Sequence, residues 1–250
     1  MKGVFIREKL LFYALKYQGN YFKIKKAIDT EEEIGILSCD SNYLTILDKT
    51  YPKVLLSLEQ PPYVLFYHGD IKLIDMVCVG VIGSRQSVDY AIKYTRLLTK
   101  ALSNNFVIVS GMATGIDGVA HSEALLNNGK TIGVLGSGIN YIYPKVNDTL
   151  YSEIKRSGLI ISEYPNDTKP QRYYFVARNR IIAALSKKLF VMQAKLKSGT
   201  LSTVDFALEM NKEIYVLPYQ IDDRNGLGCL KLIDSGASMI DDELIKLFDK

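Results

Sequence analysis

Six short runs of apolar, largely β-branched residues constrain this 250-residue chain more than anything else in it. They are Val77–Ile82, Phe106–Val109, Thr131–Leu135, Leu159–Ile161, Leu189–Met192 and Glu213–Leu217, and successive runs begin roughly 25 to 30 residues apart. None alternates cleanly between apolar and polar residues, so each reads as a strand buried on both faces of a parallel sheet. The spacing fits a right-handed crossover from strand through helix to the next parallel strand. The intervening segments have helical periodicity, as in Ala91, Tyr94, Thr95, Leu98 and Leu102. The expected core is a doubly wound α/β domain of about six strands.

Residues 1–65 read differently, as a small helical N-terminal domain ahead of a main domain over 66–250. Its expected helices are Glu8–Tyr17, Tyr21–Ile28 and a weaker one near Ser41–Leu47, and it ends at Pro61-Pro62. Tyr63–Tyr67, followed by His68-Gly69-Asp70, reads as an extra strand and turn packing on the main sheet. The tail Asp241–Phe248 reads as a short acidic amphipathic helix.

A hydrophobic content of 48% excludes a disordered chain, and no apolar run approaches the ~18 residues of a membrane span. No signal-type apolar region follows the charged start, and Cys39, Cys78 and Cys229 are too few and too irregularly spaced for a disulfide framework or metal clip. A cytoplasmic protein without a metal site is expected. Charge is concentrated: residues 71–220 carry 18 basic and 11 acidic side chains, a net charge of +7, while 1–70 balance and 221–250 are acidic. An anionic partner is expected on the middle of the chain.

Ligands of an open parallel sheet bind beyond the carboxyl ends of its strands. The loops there share one chemistry: Gly83-Ser84-Arg85, Ser110-Gly111, Gly136-Ser137-Gly138, Ser162-Glu163 and Lys195-Leu196-Lys197-Ser198-Gly199-Thr200. Glycine allows close backbone approach, the hydroxyls donate, and each following helix offers a positive N-terminus, which together suit phosphate. Any one such loop serves equally well as a plain turn, but several on one edge, with Arg85, Lys145, Arg172, Arg178, Arg180, Lys195 and Lys197 in or near them, favour a phosphate-bearing ligand. Neither a G-x-G-x-x-G fingerprint nor a Walker motif occurs, so no nucleotide cofactor is indicated. Pro170–Ile182 interleaves Arg172, Tyr173, Tyr174, Phe175, Arg178 and Arg180, the mixture of stacking rings and cations that single-stranded nucleic acid requires. For Arg178 and Asn179 a structural role is as good a reading. Asp117 reads as the N-cap of a helix carrying His121.

These strings, with Tyr51-Pro52, Pro61–Gly69, Val81–Arg85, Ser110–Asp117, Gly136–Pro144, Ser162–Pro165, Phe175–Ile182, Ser198–Thr203 and Leu232–Ala237 in order, resemble the DprA/Smf family of DNA-processing proteins over residues 51–240. The resemblance implies an extended Rossmann-like, mostly parallel sheet with a small N-terminal helical appendage. It further implies a homodimer that binds single-stranded DNA, protects incoming DNA and loads the RecA recombinase during natural transformation, with neither catalysis nor cofactor. Gly83, Ser84, Arg85, Lys145 and the segment with Arg172, Phe175, Arg178, Asn179 and Arg180 would form the DNA pocket, joined by Ser110, Gly111, Lys197, Ser198 and Gly199 from the neighbouring loops.

The family's usual Glu after the fifth run is Gln193, its Pro-Gly after the sixth is Pro218-Tyr219, the helical appendage is short, and nothing in the sequence matches the winged-helix tail of many members. By the same resemblance Leu230, Ile233, Met239 and Ile240 lie where the family dimerises, and they present more apolar surface than a short terminal helix and edge strand need; the alternative is that they cap the core of their own subunit. The rival reading is a nucleotide phosphoribohydrolase of the cytokinin-activating type. Against it, Ser198-Gly199-Thr200 is followed by no carboxylate until Asp205, where general acid or base work would need one. A chromosomal Smf-type protein without a competence role is a third reading.

Overall fold

The computed structural model describes residues 2–249, with side chains from residue 6 onward. In chain order, α1 (Lys2–Lys16), α2 (Tyr21–Asp29), β1 (Asn42–Thr45), α3 (Lys53–Leu56) and β2 (Val64–Gly69) lead into β3 (Cys78–Gly83). Next come α4 (Asp89–Leu102), β4 (Val107–Gly111), α5 (Ile116–Leu126), β5 (Thr131–Val134), α6 (Asp148–Ser157) and β6 (Leu159–Ser162). The chain finishes with α7 (Arg172–Leu185), β7 (Lys188–Gln193), α8 (Gly199–Glu209), β8 (Glu213–Val216), α9 (Leu227–Asp234), β9 (Ser238–Met239) and α10 (Asp242–Phe248).

The six apolar runs are the six neighbouring strands β3 to β8 of one sheet, ordered β1-β2-β6-β5-β4-β3-β7-β8-β9. From β6 to β9 every pairing is parallel, while β2 runs antiparallel to both β1 and β6. The central strands β4, β5 and β6 are buried end to end because helices cover both faces. On one face α3, α7, α8 and α9 pack over Ile82, Val109, Val134, Ile161 and Val191. On the other, α4, α5 and α10 cover Val79, Val81, Ile108, Phe190 and Met192, and α1, α2 and α6 cover Val64, Phe66 and Ile160. Each fully buried Leu, Ile or Phe in these layers contributes roughly 1.5–3 kcal/mol relative to exposure. This is a Rossmann-like α/β fold.

The amino-terminal part departs from expectation in two ways. Asn42–Thr45 forms a strand where a weak helix is expected: Leu44 and Thr45 are buried, and the segment pairs with Thr45 opposite Val64 and Asn42 opposite Tyr67. Four residues are too few to carry a period, and the partner strand decides their conformation. The boundary expected after residue 65 cuts through β2, and α1 and α2 share one apolar cluster with β2 and β6, through Leu10, Tyr13, Ile24 and Phe66. The helical segment is thus one end of the layer on that face.

Topology places the site. The chain steps from β3 through β4 and β5 to β6, then returns along α7 to lay β7 on the opposite side of β3. Strand order reverses between β3 and β7, and a crevice opens beyond their carboxyl ends.

Candidate functional site

The crevice is a cleft of about 820 Å³ whose walls come from the loops after β3, β4, β5, β6 and β7 and from one face of α7. The first wall is built around small residues. A Cβ on Gly83 would lie 2.6 Å from Ile116 Cγ1, so the absence of one lets α5 close on the end of β3. Gly115, at φ +78°, passes beneath the following loop, where a Cβ would sit 2.3 Å from the carbonyl oxygen of Ser84. Ser84 Oγ accepts from Gln86 N at 3.1 Å and donates to Gln86 O at 3.0 Å. From the end of β7, the fully buried Gln193 accepts from Val88 N at 3.0 Å and donates to Gln86 O at 3.1 Å. A turn fixed on both sides holds Arg85 at the rim, exposed, with its guanidinium carbon 5.2 Å from the centroid of the Phe175 ring.

Arg172, Phe175, Arg178 and Asn179 recur at helical spacing along α7 and line the cleft together. Arg172 is exposed at the mouth, whereas Arg178 is only 5% exposed and forms the floor. Its Nη1 donates to the carbonyl of Val134, and its Nε donates to Asn179 Oδ1 at 3.2 Å. Asn179 passes the restraint on, donating from Nδ2 to Ser202 Oγ at 2.8 Å. Burial pulls the Arg178 guanidinium down to about 10, which leaves it cationic at neutral pH. The Phe175 ring lies 5.7 Å from that of Tyr143, tilted by 40°, so two aromatic faces stand beside the cationic rim. Ser198, Gly199 and Thr200 bring the N-terminus of α8 to the same cleft.

Nine of the fourteen DNA-contact positions expected from sequence therefore line one cleft. Ser110 and Gly111 lie beneath it: Ser110 is fully buried and donates to Val81 O at 2.6 Å, and Gly111 makes room for Arg178, whose Nη1 would stand 2.2 Å from a Cβ. Lys145 and Lys197 are exposed beside the lining residues Tyr143 and Ser198. Arg180 requires correction as a contact residue. It points away from the cleft into a buried ion pair with Glu163, Nη2 to Oε2 at 2.7 Å, and donates to the Gln60 carbonyl at 2.9 Å, tying α7 to the segment before β2. Burial works against its charge, yet Glu163 holds the guanidinium above its ordinary value.

Two further expectations change. The N-cap of α5 is Gly115, and Asp117, inside the first turn, turns its buried carboxyl to the cleft. Burial raises that carboxyl above its usual range, opposed by the nearby Arg178. His121 is fully buried below, with Nε2 donating to Gly111 O at 2.7 Å and Nδ1 2.6 Å from Thr131 Oγ1. Ile240, expected at a dimer interface, is 2% exposed within the core of its own chain, while Leu230 and Ile233 are half-buried and Met239 is 50% exposed. Tyr143 and Thr203 line the cleft as well, and an aromatic residue in the loop after β5 is the sequence signal for the first. Among the described residues no three His, Cys, Asp or Glu side chains gather to hold a metal ion, and no helix is long and apolar enough to cross a membrane.

The fold is a Rossmann-like sheet with a basic, aromatic-walled cleft at its switch point. Residues 42–248 match the family model of DNA recombination-mediator protein A, and the chain belongs to that family. It is 44% identical over 203 residues to the protein Smf of Synechocystis and 37% identical over 238 residues to the DNA processing protein DprA of Bacillus subtilis. The match covers 79% of this chain and 51% of the Synechocystis protein, about half its length, and 94% and 78% for the Bacillus pair. The crystal structure of DNA processing protein A from Streptococcus pneumoniae superposes with a TM-score of 0.83 at 32% identity, covering 96% of this chain and 95% of that one. The Helicobacter pylori protein, whose structure was described for its single-stranded DNA binding mode, gives 0.76 at 35% identity over 85% and 96%.

Proposed function

We propose that the protein binds single-stranded DNA in this cleft without sequence preference, protects incoming DNA and loads the RecA recombinase onto it during natural transformation, as a homodimer in the cytoplasm. The observation that carries the binding reading is the meeting of Arg85 and Arg172 at the mouth, Arg178 at the floor and the Tyr143–Phe175 pair in one cleft. Phosphates take the cations, and unpaired bases have free faces for the rings, which a duplex does not offer. Lys145 and Lys197, exposed beside the cleft, extend the basic track. The single-stranded DNA binding described for the Helicobacter relative supports the same reading.

Arg85 and Arg172 are exposed, so each can be replaced without disturbing the core. Arg85→Ala and Arg172→Ala should each weaken single-strand affinity roughly tenfold, the size of one charge-assisted phosphate contact, with an unchanged circular dichroism spectrum. Wild-type affinity in both variants rules out this cleft as the site.

A further inference from the structure

The floor of the cleft is built differently from its mouth. Arg178 is 5% exposed and takes part in none of the four ion pairs formed among the described residues. Its Nε and Nη1 are engaged by an amide oxygen and a carbonyl, and no hydrogen bond engages its Nη2. A buried cation without a carboxylate partner is costly unless an anion joins it. Asp117 lies in its field without forming an ion pair; burial raises that carboxyl above its usual range and Arg178 opposes the shift.

A second, independent feature stands at the same place. Ser198 is the N-cap of the eleven-residue α8 but makes no capping bond, and its buried Oγ has no hydrogen-bond partner. A Cβ on Gly199 would meet nothing within 4 Å, so no packing within the protein accounts for glycine at the first position of the helix. Arg178 and this terminus are coupled: Asn179 accepts from the Arg178 Nε and donates from Nδ2 to the Gly199 carbonyl at 3.3 Å. The helix N-terminus adds roughly half a positive charge and free N–H groups to the guanidinium.

We propose that the cleft floor is a seat for a phosphomonoester dianion, so that the protein grips a single strand by a phosphorylated end; this rests on the single-strand reading of the cleft. A guanidinium and a helix terminus together match a dianion better than the single charge of a backbone phosphodiester. Geometry agrees with charge. Arg178 lies at the buried end of the cleft, where a terminal phosphate brings one chain substituent with it and a phosphodiester brings two.

The test is calorimetric titration of thymidine strands of about ten nucleotides, carrying a 5′-phosphate, a 3′-phosphate or hydroxyls at both ends, alongside thymidine monophosphate. Wild-type protein should bind one of the phosphorylated strands roughly tenfold tighter than the hydroxyl-ended one, and tighter than the mononucleotide. In Gly199→Asp the added carboxylate occupies the seat at a position where an acid suits the helix, so the fold stands and the preference disappears. Equal affinities for the three strands overturn the seat while leaving single-strand binding in place, and so does a preference that survives Gly199→Asp. Mononucleotide binding as tight as the strand overturns the strand-end assignment in favour of a free nucleotide. Mononucleotide binding with no binding of any strand removes the single-strand reading itself.

Discussion

His121 illustrates how a residue with a functional look can be wholly structural. Burial lowers its pKa from 6.5 to about 4, so the folded chain refuses a proton that the unfolded chain accepts. Its contribution is therefore complete above pH 6.5 and is lost as pH falls toward 4, by roughly 3 kcal/mol at most. The urea midpoint should fall between pH 7 and pH 4.5 more in wild type than in His121→Gln; parallel curves would show that the imidazole titrates normally. Residue-level roles were only partly legible for a related reason. Arg172, Arg178 and Arg180 look equivalent in the string, but one stands at the mouth, one forms the floor and one pairs with Glu163, seventeen positions earlier in the chain. Sequence spacing places side chains on a helix face but cannot say which acceptors the rest of the fold brings to that face.

At the scale of elements, the strands buried on both faces were legible because their apolar runs depend on no partner in particular. Val77–Ile82 and Leu189–Met192 fall within one residue at each end of β3 and β7. β1 was hidden because its conformation depends on pairing with β2 and on no pattern of its own. The loop after β3 is an element-scale device as well, since its shape depends on an amide reaching across from β7. Gln193→Met keeps the volume but removes both bonds to the loop. Stability should fall by about 1–2 kcal/mol, and single-strand affinity should fall with it as Arg85 loses its support. An unchanged denaturation midpoint together with unchanged affinity would show that the loop is held by other means.

For the whole molecule, the charge excess of residues 71–220 becomes intelligible once the sheet gathers Arg85, Arg172 and Arg178 at one crevice from segments far apart in the chain. Which loops converge follows from the reversal of strand order between β3 and β7, and that reversal carries no local signature. Assembly belongs to this scale too. β9 ends the sheet with Met239 exposed, and Leu230 and Ile233 are half-buried nearby in the chain, so the proposed homodimer would close on that edge. A strand spanning two clefts would then gain avidity. Met239→Glu should leave a folded monomer that keeps its affinity for short strands and loses affinity for long ones, measured by light scattering and titration. A dimer that persists in the variant places the interface elsewhere.

Whether the basic cleft holds single-stranded DNA by its phosphates and bases is decided by titrating single and double strands of one length across a series of salt concentrations. With about three phosphates neutralised by Arg85, Arg172 and Arg178, the logarithm of single-strand affinity should fall against the logarithm of salt with a slope near −2 or steeper, and duplex should bind far more weakly. A flat salt dependence, or duplex bound as tightly as single strand, would show that the cleft does not hold single strands in this way.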